Sequence, residues 1–218
     1  MSIKRISALC VVLLLVSGSL ALAQPDKPWK SWTGNVAIGY SMTQGDASDF
    51  FDNGWNFTGG ATYKPETWPV GVFVEGAFNR FDAKNNLTEA LGVGSGDMDI
   101  FSITGGGIWS TKTQGRVDFY VSAGAGWYRR SIELRNPTTA YFPPTCNPWW
   151  YWCTPGGLIP AEEIVGSDTQ NKVGANGGIG LTFALANDSQ IYLEVKYHWM
   201  DTKEEATTWV PVTVGYRW

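Results

Sequence analysis

Residues 117–130 read Val117-Asp118-Phe119-Tyr120-Val121-Ser122-Ala123-Gly124-Ala125-Gly126-Trp127-Tyr128-Arg129-Arg130. Val117, Phe119, Val121, Ala123, Ala125 and Trp127 share one side of a period of two. Asp118, Tyr120, Ser122, Gly124, Gly126, Tyr128 and Arg130 share the other. That period belongs to a β-strand, in which successive side chains point to opposite faces. A soluble sandwich strand buries its apolar face and turns charge outward. Across this and the segments that follow, the opposing face is mostly Gly, Ala, Ser, Thr and Asn with a few charges, which suits a narrow interior better than a solvated surface. An apolar exterior around small and polar residues is the arrangement of a membrane-barrel strand.

Seven more segments obey the same rule. Before the quoted stretch, Val36, Ile38, Tyr40 and Met42 oppose Asn35, Ala37, Gly39 and Ser41. Trp55, Phe57, Ala61 and Tyr63 oppose Asn56, Thr58, Gly60 and Thr62, and Val70, Val72, Val74 and Phe78 oppose Gly71, Phe73, Glu75, Ala77 and Asn79. Phe101, Ile103 and Trp109 oppose Ser102, Thr104, Gly106 and Ser110. After it, Val173, Ile179, Leu181 and Phe183 oppose Gly174, Asn176, Gly178 and Thr182, and Ile191, Leu193, Val195, Tyr197 and Trp199 oppose Tyr192, Glu194, Lys196 and His198. The last segment sets Val210, Val212, Val214, Tyr216 and Trp218 against Pro211, Thr213, Gly215 and Arg217. The spacing therefore predicts eight antiparallel strands closed into a transmembrane barrel.

The connections agree with that reading. Residues 43–54, 82–97, 133–171 and 201–207 are long gaps, whereas 64–69, 111–116 and 186–190 are short. Long extracellular loops and short periplasmic turns are the barrel pattern, and an even strand count puts both chain ends on the turn side. Tyr40, Trp55, Phe78, Phe101, Trp127 and Trp199 fall at the loop ends, and Tyr63, Trp109, Phe119, Tyr216 and Trp218 at the turn ends. Two aromatic girdles around an aliphatic band match the two interfaces of a bilayer.

Composition supports the same class. The 218 residues include 26 Gly and 12 Trp, with only 17% charged. Abundant aromatics with little charge exclude disorder. Frequent glycine disfavours a helical bundle, and the net charge of −4 argues against a nucleic-acid partner. Lys4 and Arg5 precede an apolar run over Ile6–Val16, and Ala21-Leu22-Ala23 supplies a small–x–small cleavage pattern. Residues 1–23 thus read as a secretory signal peptide, leaving a single barrel domain over 24–218. In an exported chain Cys146 and Cys153 are expected to form a disulfide.

With these residues in place, the chain resembles the small eight-stranded outer-membrane barrels, the OmpA/OmpX/OmpW-like porin-family proteins of bacteria with two membranes. The resemblance covers residues 29–218 and is most specific in Val121–Trp127 and Val212–Trp218. It implies an all-β barrel in the bacterial outer membrane, in contact with membrane lipid and lipopolysaccharide and delivered by the barrel-assembly machinery. Tyr216 and Trp218 match the family's C-terminal assembly signal, with Trp standing where Phe is commoner; a plain girdle role is the other reading of Trp218. The family's fuller members carry a peptidoglycan-binding domain after the barrel, which this chain does not show. A monomer is expected and no cofactor is implied.

Function is less legible. The inward faces carry Glu75, Asp118, Arg130, Glu194, Lys196 and Arg217. Charges in a narrow lumen must pair, so Glu75 and Glu194 are expected to meet Lys196, Arg217 or Arg130. Such pairs make either a static plug or a gate that opens a narrow, porin-like passage for small solutes. The gap at 133–171 holds Trp149, Trp150, Tyr151 and Trp152 inside the Cys146–Cys153 ring. These aromatics read either as an adhesin-like surface for an extracellular ligand or as a lid over the mouth. Asp46, Asp49 and Asp52, with Asp201, Glu204 and Glu205, give an acidic rim that either attracts divalent cations or is simply solvated. An enzyme is not expected. A lipid A deacylase needs a Ser two residues after its His, and His198 is followed by Trp199 and Met200. A lipid-modifying enzyme is kept as the weakest alternative.

Overall fold

The computed structural model describes residues 31–65, 67–111, 117–147, 152–185, 189–202 and 206–218. The signal-peptide reading of 1–23, the loop aromatics Trp149, Trp150 and Tyr151, and the loop residues Glu204 and Glu205 lie outside them. Eight long strands carry the fold: β1 (Trp32–Gln44), β2 (Gly54–Tyr63), β3 (Val70–Asp82), β4 (Ser95–Ser110), β5 (Val117–Phe142), β8 (Gly157–Ala184), β9 (Gln190–Met200) and β10 (Thr207–Arg217). Two short strands, β6 (Thr145–Asn147) and β7 (Trp152–Thr154), pair between β5 and β8. Short helices α1 (Ala47–Phe50) and α2 (Asn85–Leu91) lie in the β1–β2 and β3–β4 connections.

Every neighbouring pair among the eight long strands is antiparallel, and β1 closes the ring on β10, with Ala37 opposite Gly215 and Ile38 opposite Val214. Closure leaves no open edge in the membrane-spanning ring, the condition for a sheet to cross hydrocarbon. The alternation then dictates what faces the membrane. Val74 is 62% exposed, while its neighbour Glu75 is 8% exposed. This inverts the soluble pattern along the whole ring: Ile38, Ile103, Ile179, Val195 and Val214 point out, and Asn35, Thr104, Asn176, Glu194 and Thr213 point in. Aromatic pairs mark the two borders of the apolar band. Trp32 meets Tyr63 at 4.8 Å and Tyr216 meets Trp218 at 6.0 Å at the turn end. Trp55 meets Phe78 at 5.5 Å and Phe101 meets Trp127 at 6.0 Å at the loop end.

One expectation is corrected. Within the expected loop 133–171, residues 133–142 and 157–171 are not irregular but form the outer half of a two-stranded ribbon, paired out to Phe142 opposite Gly157, with one register shift between Leu134 and Arg135. β5 has 26 residues and β8 has 28, so each runs roughly 85–95 Å at about 3.4 Å per residue. Some 9–11 tilted residues suffice to span a bilayer. Beyond the membrane nothing requires apolar residues to alternate with small ones, so the period vanishes from the sequence while the hydrogen-bonded ladder continues. Cys146 and Cys153 face each other in β6 and β7 and are disulfide-bonded, as expected.

Candidate functional site

Three layers of side chains fill the lumen, each with its own chemistry. At its centre Lys196 of β9 reaches across to Glu75 of β3, its Nζ lying 2.8 and 2.9 Å from the two carboxylate oxygens. The same Nζ lies 2.9 Å from Oε1 of Glu194, two residues back on the same strand face. Tyr120 donates its hydroxyl to the other Glu194 oxygen at 2.9 Å, and Ser122 donates to Oε1 at 3.4 Å. Lys196 and Glu194 therefore have several partners each, and both oxygens of Glu75 are met by Lys196, the condition under which buried charge is tolerated. The cavity left among these groups is about 20 Å³, room for roughly one water.

Towards the turn end Arg217 is stacked between two rings, its guanidinium 5.3 Å from the Tyr120 centroid and 5.0 Å from that of Tyr192. Asn35 donates to the Tyr192 hydroxyl at 3.1 Å. These rings fit only because glycines lie beneath them. A Cβ on Gly180 would come within 2.4 Å of the Tyr120 ring, and one on Gly215 within 2.3 Å of the Tyr192 ring.

Towards the mouth the interior turns apolar. Phe51, Phe81, Met98, Ile100, Tyr128, Met200 and Trp209 form one buried cluster. Phe51 comes from the β1–β2 connection, held over the opening by a bridge to Ala83 and by the Thr43 hydroxyl, which donates to the Phe51 carbonyl at 3.2 Å. His198 joins the underside of the plug. Its ring stacks on Trp209 at 4.9 Å, and its Nδ1 lies 3.1 Å from the Tyr128 hydroxyl.

The six inward charges do not form a single network. Glu75, Glu194 and Lys196 meet as expected, but Arg217 lies against tyrosines rather than a carboxylate. Arg130 is at the mouth, donating to Thr207 Oγ1 at 3.1 Å, and Asp118 is at the turn end, where its carbonyl accepts from Thr182 at 3.4 Å. Twelve residues of extended chain hold Arg130 and Asp118 about 40 Å apart. Sharing a face does not bring two side chains to one level. Trp152 lies in β7 at the ribbon tip, and Trp218 pairs its backbone with Gly34 at 3.0 and 3.1 Å as the closing residue of the ring.

Two groups were missed from the sequence. The plug residues had a signal, because Phe81, Ile100, Met98, Met200 and Trp209 continue the inward phase of Asn79, Ser102, His198 and Pro211 to the loop ends of the expected strands, beyond the residues whose faces were assigned. Phe51, in a connection, had none. The second group braces the root of the ribbon. Arg135 pairs with Asp97 at 2.9 Å and Glu133 at 2.6 Å, while Arg80 pairs with the same Asp97 at 2.7 Å.

The domain family described as outer membrane protein beta-barrel domain matches residues 9–217. No curated protein sequence matches the chain significantly. Among solved structures, Neisserial surface protein A is 14% identical with a TM-score of 0.56, over 86% of this chain and 96% of that one. Ail of Yersinia pestis is 14% identical with a TM-score of 0.48, over 87% of this chain and 100% of that one. OprG of Pseudomonas aeruginosa is 13% identical with a TM-score of 0.44, over 87% of this chain and 97% of that one.

Proposed function

The chain belongs to the outer membrane protein β-barrel family and resides in the bacterial outer membrane, and we propose that it works there as a closed, non-catalytic barrel that holds the β5–β8 ribbon away from the cell for recognition of an external partner. The observation that carries this reading is the double closure of the lumen. To open a passage, Lys196 would have to leave two carboxylates at once, and the aromatic plug would still lie above it. His198, the one histidine of the chain, is occupied by Trp209 and Tyr128. The ribbon in turn offers Tyr141, Leu158, Ile159 and Ile164 to solvent, side chains that stabilise association when a partner covers them.

Single-channel recording of refolded protein in planar bilayers tests the closure, with folding checked by heat-modifiable gel mobility. Silence is the expected result for the wild type and for Glu194→Ala. Steady, salt-dependent steps from the wild type would overturn the closed-barrel reading in favour of narrow porin-like passage.

A further inference from the structure

We propose that the extracellular mouth of the barrel is a binding pocket for a small organic carboxylate that carries a hydrogen-bond donor beside its carboxyl group and an apolar body. A cavity of about 370 Å³ opens there, within the size range of small-molecule sites. Phe50, Phe51, Met98 and Ile132 line it. Phe51 and Met98 also belong to the plug, so the cavity ends blindly on its own floor. A blind cavity retains a ligand instead of passing it on.

The polar groups define the ligand. Arg130 and Gln170 both line the cavity and stand directly opposite each other across the β5–β8 pair. Arg130 donates one terminal nitrogen to Thr207 at 3.1 Å and holds the other 3.8 Å from Asp168, but its Nε–H is buried with no partner. Gln170 donates its amide to Asp168 at 2.9 Å, and its Oε1 is likewise buried without a partner. One unmet donor on a cation and one unmet acceptor thus belong to two paired residues that line a cavity with an apolar floor. Leaving such groups unmatched is costly. A carboxylate meets the guanidinium in its preferred charge-assisted geometry, and a hydroxyl or ammonium on the adjacent carbon meets Oε1. Asp46 on the wall and Asp168 behind the arginine disfavour a second negative charge. The ligand is accordingly a monoanion or a zwitterion of the 2-hydroxy- or 2-amino-acid type.

The test is calorimetric titration of the protein in lipid nanodiscs with four probes: indole-3-lactate, tryptophan, indole-3-propionate and indole-3-ethanol. The first two carry carboxylate and donor, the third lacks the donor, and the fourth lacks the carboxylate. At least one of the first pair is expected to bind about tenfold or more tighter than indole-3-propionate, with indole-3-ethanol weakest. Hydroxyl or ammonium as the better donor distinguishes the two sources. Arg130→Lys keeps the charge but removes Nε, and is expected to weaken binding about tenfold; Gln170→Glu sets a carboxylate against the ligand and is expected to abolish it. Both variants are to be shown folded by gel mobility. Equal binding of all four probes, wild-type affinity in both variants, or no binding at millimolar probe would overturn the proposal. Bilayer silence is independent of all these outcomes, so this result and the closed-barrel reading fail separately.

Discussion

The centre and the mouth of the lumen close the same barrel by opposite means. At the centre Lys196 sits between Glu75 and Glu194, three charges within hydrogen-bond distance. At the mouth Phe81, Ile100, Met200 and Trp209 exclude water with almost no polar atoms. The charged closure is directional, so it fixes which strand faces which across the ring, but it is intolerant of losing one member. The apolar closure is non-directional and degrades gradually as volume is removed. A barrel with both is rigid at its waist and adaptable near its opening.

This difference is most sharply exposed by Lys196→Met. The change leaves two carboxylates buried without a cation, and about 3–5 kcal/mol of stability is expected to go. Urea unfolding in lipid vesicles, followed by tryptophan fluorescence, reads the loss. The triple variant Glu75→Gln, Lys196→Met, Glu194→Gln is expected to recover most of it, because replacing a whole buried set costs far less than breaking one. A loss below about 1 kcal/mol in the single variant would mean that water already solvates the waist.

Trp209→Ala is the matching cut at the mouth. Removing a fully buried indole is expected to cost about 3–4 kcal/mol through lost burial and the cavity left behind. Because the waist stays shut, the variant is expected to remain silent in planar bilayers, and steps are expected only when Glu194→Ala is added. Conductance from Trp209→Ala alone would make the mouth the sole seal. A smaller effect is expected below the waist. Gly215→Ala drives a methyl group into the Tyr192 ring and is expected to cost about 1–3 kcal/mol by overpacking, read in the same unfolding assay. Indifference there would show that the Tyr192 ring can swing away from Arg217.

The waist was legible in the sequence and the mouth was not. Glu75, Glu194 and Lys196 are conspicuous because charge is rare on the inward faces, and a buried cation must find its anion. The dyad period also assigned every face of the eight strands, since apolar-out with small-in admits one solution in a bilayer. Met98, Ile100 and Trp209 continue that inward phase, but at the mouth the inward residues become large and apolar, so the contrast that defined the faces fades. Phe51 reaches the plug from a connection, through hydrogen bonds to β1 and β3 that no local pattern encodes. The ribbon beyond Leu134 was hidden for a related reason. Its strands pair only with each other outside the membrane, where both faces meet water and residue type no longer alternates.

The smallest effect is expected furthest from both closures. The Cys146–Cys153 bridge clips β6 to β7 at the ribbon tip. A disulfide acts mainly on the loop it closes, and the ladder below it runs unbroken only as far as the register shift at Leu134 and Arg135. Replacing both cysteines by serine is therefore expected to leave the barrel's unfolding midpoint unchanged within about 0.5 kcal/mol, as for a change remote from the core. Protease digestion of intact vesicles is expected to cut the tip faster in the serine variant than in the wild type. A fall in barrel stability would mean that the tip and the membrane-embedded ring unfold as one cooperative unit, with the brace of Arg135 on Asp97 and Glu133 transmitting the load. Disabling that brace with Arg135→Gln in the serine background is then the decisive comparison. If the brace is the coupling element, its removal restores the barrel's independence from the tip.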